Sequence, residues 1–351
     1  MSNAVSAWPW DCFAGRRLKP ATTRTTILRI CVFGAGAIGG FIAAYMARAG
    51  LDVSVVARGA HLAAIRTNGL TVEAGDESFT AHVRASDDPA DLGVQDGVLV
   101  TVKAPALPVV ARGIAPLLAS ITPVAFLTNG VPWWYFHGHG GTLDGRRLPA
   151  LDPDDVIWNA IGPGRTVGGI AWPASAVHHP GVIRVLNPKG RATILGAPNG
   201  ATTPGILALQ SAFAAAGLPV AVEARIRDRI WEKLAFNLSA GPLCVLTETP
   251  VRATHEEAAL IEMSRRVVAE TVALIAALGC NAQVDFERFR DTNMTLGHRP
   301  SILQDLLAHR PMEVDALYNV PLQLAAMAGV AMPTLEMLAA LIRVKVKARY
   351  G

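Results

Sequence analysis

The 351-residue chain is short of charge and of cysteine, and each shortage excludes something. Charged side chains are 17% of the chain against 51% hydrophobic ones, a balance that buries cores and does not describe a disordered tail. The four cysteines, Cys12, Cys31, Cys244 and Cys280, lie far apart with no C-x-x-C pair. Reduced thiols in a cytoplasmic protein are expected, not a disulfide framework or a zinc ribbon. No apolar run reaches the ~18 residues of a membrane-crossing helix, so no membrane partner is expected. A surplus of positive charge is missing as well. Lysine and arginine number 32 against 28 acidic residues, but residues 1–29 hold five of those cations and one anion, Asp11, leaving 27 of each sign on the rest. A formally neutral body offers no field to a polyanion, and nucleic acid is not an expected partner. The pairs His137-x-His139 and His178-His179 have no H-E-x-x-H spacing and no acid or cysteine cluster beside them, so no metal is expected either.

What is present is a periodic pattern that starts near Arg29. Residues 1–26 show no periodicity, and their apolar patch precedes the basic residues, the reverse of a secretory leader. They are expected to be a disordered or cloning-derived arm. Beyond them come a strand at Arg29–Phe33, an alanine-rich helix at Ala37–Ala49, a strand at Val53–Val56 and a hairpin around Gly75-Asp76. A buried strand at Gly97–Val102, a helix at Ala106–Leu118 and a strand at Pro123–Thr128 follow. This alternation predicts a mostly parallel sheet covered on both faces. Residues 131–164 interrupt it, with Trp133, Trp134, Tyr135 and Phe136 at their start. Strands resume at Thr166–Ala171, and a second hairpin is expected between Val182–Leu186 and Ala192–Leu195. A helix at Gly205–Ala216 and a strand at Pro219–Val222 complete this half. From Ala224 onward the pattern is helical, with breaks expected at glycines and prolines, Gly241-Pro242 among them.

Gly34-Ala35-Gly36-Ala37-Ile38-Gly39 is a G-x-G-x-x-G loop directly between the first strand and the first helix. The first glycine permits the tight turn, the second lets a pyrophosphate approach the backbone, and the third allows close helix–strand packing. The fold class is therefore α/β: an N-terminal Rossmann-type doubly wound domain over 27–223, and a C-terminal all-α domain over 224–351. The second strand ends in Arg58, where an NAD site usually has an acid. A guanidinium pairs well with a 2′-phosphate, which favours NADP(H), although a surface arginine would look the same in sequence.

Two polar residues, Lys103 and Asn129, sit just past strand ends, where open α/β sheets bind their ligands. In the helical half, Arg225, Arg229, Lys233 and Asn237 recur every four residues beside an apolar stripe of Ile226, Ile230, Leu234 and Leu238. Lys233 and Asn237 can thus converge on one ligand, with Trp231 and Phe236 able to desolvate the amine. A solvated lysine on an amphipathic helix has the same spacing.

Taken together, the glycine loop, Thr101-Val102-Lys103-Ala104, Asn129-Gly130, Trp231-Glu232-Lys233-Leu234-Ala235-Phe236-Asn237, Ser301-Ile302-Leu303-Gln304-Asp305 and Glu313-Val314-Asp315 resemble the ketopantoate (2-dehydropantoate 2-) reductase family from about Leu28 to Arg349. The resemblance implies NADPH-dependent reduction of a small 2-oxo acid to a 2-hydroxy acid in a cleft between the two domains. It implies Lys233 as catalytic proton donor, with Lys103 and Asn129 on the nicotinamide and substrate side. Asn237 and Ser301 would hold the substrate, and Glu313 would lie near cofactor and lysine. A homodimer is an expected assembly. The chain departs from the family at Gly241 and Val251, where asparagines are usual, and at Asn319-Val320, which stands for Asn-Gly. Those losses, with the Trp133–Phe136 cluster, suggest a bulkier or less hydroxylated 2-oxo acid, unless the aromatics only pack an insertion or a subunit contact. A dinucleotide-sensing protein without catalysis is the rival from another class.

Overall fold

A computed structural model describes residues 28–187, 192–295, 297 and 299–350. The expected arm at 1–26 lies outside them. The chain forms two compact units. One contains the residues up to Val102, Val109–Leu127 and Ala160–Ala224; the other contains Lys103–Pro108, Thr128–Asn159 and the residues from Arg225 onward.

The first unit is built on β1 (Arg29–Phe33), β2 (Asp52–Val56), β3 (Leu70–Ala74), β4 (Glu77–Ala81), β5 (Arg84–Ser86), β6 (Gly97–Val100), β7 (Val124–Phe126), β8 (Thr166–Ala171), β9 (Ser175–His179), β10 (Val182–Val185), β11 (Thr193–Gly196) and β12 (Val220–Val222). Eight of these strands make one sheet in the order β12-β11-β8-β7-β6-β1-β2-β5. Its pairs are parallel except β8 with β11. Strand β1 is central, with Ile30 in register with both Val53 and Gly97. Residues Ile30–Phe33 and Val98–Val100 are buried without alternation, as a sheet covered on both faces requires.

A second sheet has the order β4-β3-β10-β9. The turn at Gly75-Asp76 joins β3 and β4 as expected. The other expected hairpin does not form. Strand β10 pairs in parallel with β3 and antiparallel with β9, whereas β11 joins the large sheet. The strand at Ser175–His179 is half polar and exposed, which hid it from a reading based on apolar runs.

Helix α1 (Ala37–Arg48) packs against strands of both sheets. That position explains why Gly39–Met46 is buried with no polar face, and Ile183 of β10 lies 3.0 Å from where a Gly40 side chain would begin. Helix α2 (Gly59–Asn68) follows β2. The helix expected over Ala106–Leu118 is three pieces: a 3-10 turn at Ala104–Ala106, α3 (Leu107–Gly113) and a 3-10 turn at Ala115–Leu117. Pro105 and Pro116 lack the N–H that a continuous ladder needs. Helix α3 and α4 (Val156–Ala160) each contain a passage of the chain from the second unit to the first. Helix α5 (Pro204–Ala215) is capped by the Thr203 hydroxyl, which accepts from the Ile206 N–H.

The second unit contains α6 (Ile226–Thr247), α7 (Val251–Thr254), α8 (Ala258–Ala277), α9 (Phe286–Thr295), α10 (Ser301–Leu307), α11 (Val320–Ala328) and α12 (Pro333–Tyr350). The break expected at Gly241-Pro242 is absent: α6 runs through it. Leu238–Val245 is wholly buried, with α8 and α12 packed on α6, and that packing outweighs the one backbone bond the proline forgoes. The Trp133–Phe136 stretch also belongs to this interior. Each of the four is at most 2% exposed. The Tyr135 hydroxyl accepts from Trp231 Nε1 at 2.8 Å, and Arg227 donates to the carbonyls of Tyr135 and His137 at 2.8 and 2.6 Å. These aromatics are core of the unit.

Candidate active site

In the first unit the glycine loop is shaped as its spacing predicts. Gly34 has φ +107° and donates to the Val56 carbonyl at 3.0 Å, turning the chain out of β1. A side chain on Gly39 would collide with the Gly34 carbonyl and the Thr101 hydroxyl, which itself donates to Gly34 O at 2.6 Å. Gly36 differs: among the described residues nothing lies within 4 Å of its missing Cβ. Helix α1 begins there with no side-chain cap and no acidic residue in its first turn. An N-terminus of unspent N–H groups, beside open space over a glycine, suits a bound pyrophosphate. Arg58 is exposed at the start of α2, just past β2. The loop thus fits a dinucleotide, with Gly34–Gly39 as the residues that would hold it.

In the second unit, three side chains from separate stretches join in one hydrogen-bonded row. Lys233, half-buried on α6, donates from Nζ to Asn129 Oδ1 at 3.0 Å. Asn129 Nδ2 donates to Glu313 Oε2 at 3.2 Å, and the Ala104 N–H donates to Glu313 Oε1 at 3.1 Å. The direction of the row follows from the donors. An ammonium has no acceptor, so Asn129 must present its oxygen to Lys233 and its amide nitrogens to the carboxylate. Burial lowers the Lys233 pKa to about 8, and the charge of Glu313 opposes part of that fall. Glu313 is 3% exposed, and its burial raises its pKa against the stabilising Ala104 and Asn129 hydrogen bonds.

Beside this row, buried Asp305 of α10 pairs with Lys103 and accepts from Arg310 Nε at 3.1 Å. Asn237 lies one helical turn beyond Lys233, half-buried, and Ser301 is exposed as the first residue of α10. Neither side chain makes a hydrogen bond among the described residues.

The backbone holds Asn129 in place. Gly130 has φ +81°, and a Cβ there would overlap the Ala316 carbonyl, which accepts from the Val131 N–H at 2.9 Å. Ala316 belongs to a π-helical turn, Asp315–Asn319, that begins two residues after Glu313. Such a turn carries one extra residue and often marks a functional site. The sequence displayed Asp305 only as a motif letter and gave no sign of its two cationic partners, Arg310 among them. The Gly130–Ala316 contact joins residues far apart in the chain and had no local signal.

Fold and side chains together define an oxidoreductase of the nucleotide-binding α/β type, with a desolvated lysine in its hydrogen-bonded row. The chain belongs to the ketopantoate reductase family PanE/ApbA: the model of that family matches residues 30–146, and the model of its C-terminal part matches residues 225–346. A 2-dehydropantoate 2-reductase of Mesorhizobium japonicum is 42% identical, with 90% of this chain and 97% of that protein covered. A solved structure from Ralstonia solanacearum is 38% identical with a TM-score of 0.86, covering 92% of this chain and 99% of its own. The 2-dehydropantoate 2-reductase of Geobacter metallireducens is 28% identical with a TM-score of 0.79, covering 91% of this chain and 100% of its own. Among the described residues, no helix is long and apolar enough to cross a membrane.

Proposed function

We propose that the chain catalyses the NADPH-dependent reduction of a 2-oxo acid to the 2-hydroxy acid, as 2-dehydropantoate to pantoate. One observation carries this reading: the Lys233 amine hydrogen-bonded through the Asn129 amide to a buried carboxylate. When bound, NADPH supplies a hydride to the carbonyl carbon. Lys233 then serves the oxygen. One ammonium proton stays on Asn129 Oδ1, another donates to the carbonyl oxygen, and that proton passes to the alkoxide as it forms. A neutral amine remains and regains its proton from water. Glu313 and Asn129 fix where the ammonium points, and the free groups of Asn237 and Ser301 are suited to hold the substrate. Gly34, Ala35, Gly36, Ala37, Ile38 and Gly39 would cradle the pyrophosphate, with Arg58 toward the 2′-phosphate. Lys103, Asn129 and Glu313 belong on the nicotinamide side of this reading.

The domain assignment is part of the same proposal, with the nucleotide on the strand-rich unit and the substrate chemistry on the helical unit, which takes in Lys103–Pro108 and Thr128–Asn159 as well as the residues from Arg225 onward. So are a cytoplasmic location and a homodimer. Support for pairing comes from α12, where Met337, Leu341 and Val344 leave an exposed apolar stripe at i, i+4, i+7 spacing.

The test follows NADPH absorbance with 2-dehydropantoate for the wild type and Lys233→Ala. Removing the proton donor should lower kcat at least ~100-fold, with NADPH affinity retained. Bound NADPH with no turnover of any 2-oxo acid by the wild type would favour the sensing protein instead.

A further inference from the structure

The π-helical turn carries a side chain that the mechanism does not use. Tyr318 is 0% exposed, and its hydroxyl has no hydrogen-bond partner among the described residues. Buried hydroxyls are nearly always bonded, so one without a protein partner calls for something else to bond. Its surroundings say what. The nearest atom to the missing Cβ of Gly241 is the Tyr318 hydroxyl oxygen, at 2.9 Å, with Ile302 Cγ2 next at 3.7 Å. Gly241 continues the spacing of Lys233 and Asn237 along α6, so the phenol fills the third place of that polar stripe from another element. Ile302, which shares this space, follows Ser301 directly. Burial raises the Tyr318 pKa, which keeps the proton on the oxygen and preserves it as a donor.

We propose that the Tyr318 hydroxyl is a specificity-determining group that hydrogen-bonds a polar substituent on the side chain of the 2-oxo acid. The inference rests on the reductase reading above. Gly241 lies one helical turn past Asn237 on the face that carries Lys233, so a group placed there lies beyond the residue proposed to hold the substrate. On the reductase reading, that substituent is the terminal hydroxyl of 2-dehydropantoate. This reverses the expectation drawn from Gly241 alone. The glycine does not leave the place without a hydrogen-bonding group; it makes room for one supplied by Tyr318.

The test compares wild type and Tyr318→Phe on 2-dehydropantoate and on 3,3-dimethyl-2-oxobutanoate, which has hydrogen in place of the terminal hydroxyl. The variant should raise KM for the hydroxylated acid about tenfold or more and leave KM for the deoxy acid within about twofold. Pantoate should raise the Tm of the wild type in the presence of NADP and raise that of the variant less. The unliganded variant should melt no lower than the wild type, because the lost hydroxyl bonds nothing among the described residues. Equal effects on both acids, or none, would overturn the assignment. A lower Tm without a change in selectivity would also overturn it, showing an internal bond. A wild type that binds NADPH but reduces neither acid would remove the reductase reading and this inference with it.

Discussion

At the scale of single residues, the proposed role of Lys233 as proton donor makes the reduction depend on its protonation. Burial disfavours its charged form, and the reduction needs that form, so the proton donor disappears as pH rises through about 8. The kcat/KM for reduction should fall above that point with a slope near one proton, and the reverse oxidation should gain over the same range. Glu313 sharpens the test. Its negative charge raises the lysine pKa, so Glu313→Gln, which keeps the shape but not the charge, should move the alkaline limb to lower pH. A pH–rate profile measured between pH 6 and pH 10 checks both, and a limb unmoved in the variant would show that the two groups do not communicate. Lysine spacing on α6 was readable in the sequence. The pKa was not, because it depends first on burial by the folded chain and then on Glu313, 80 residues away.

At the scale of elements, a β-strand–glycine–helix unit is local, and the β1–α1–β2 segment was legible for that reason. Gly34 turns the chain with a positive φ, Gly39 lies where a side chain would collide, and Gly36 faces open space among the described residues. Strand partners were less legible. The alternation of β10 and β11 suited a hairpin, but the choice of β3 as partner for β10 is a long-range contact with no mark in either strand. Pro242 shows the opposite failure, a local breaking signal overridden by burial on several sides. The segment after β7 is another case of tertiary control. Gly130 must take a positive φ and lie against the Ala316 carbonyl, so Gly130→Ala strains the backbone and pushes Asn129 from its place between Lys233 and Glu313. The variant should remain folded, with stability lowered by about 1–3 kcal/mol in urea titration. Its kcat should fall at least ~10-fold, because a small misplacement of a positioning group is costly. A variant with lowered stability but full kcat would detach Asn129 from catalysis.

At the scale of the whole molecule, neither unit is one continuous stretch. The second unit takes in Lys103–Pro108 and Thr128–Asn159, and with them the Ala104 amide, Asn129 and the Trp133–Phe136 core. The helices from Arg225 onward therefore lack the partner of Lys233 and the phenol that Trp231 bonds. A fragment starting at Arg225, expressed alone, should melt without a cooperative transition by circular dichroism; a sharp transition would mean that those helices are self-sufficient. Composition had suggested a single division near residue 223, because the change from alternating strands to helices is visible there, while two short borrowed segments leave no such trace.

This interleaving limits how such an enzyme can be re-engineered. A nucleotide-binding half from one relative and a catalytic half from another cannot be spliced at one junction, since the amide that steadies the amine would come from the wrong parent. A working chimera needs several crossovers, placed so that Asn129, Lys233 and Glu313 are inherited as one set.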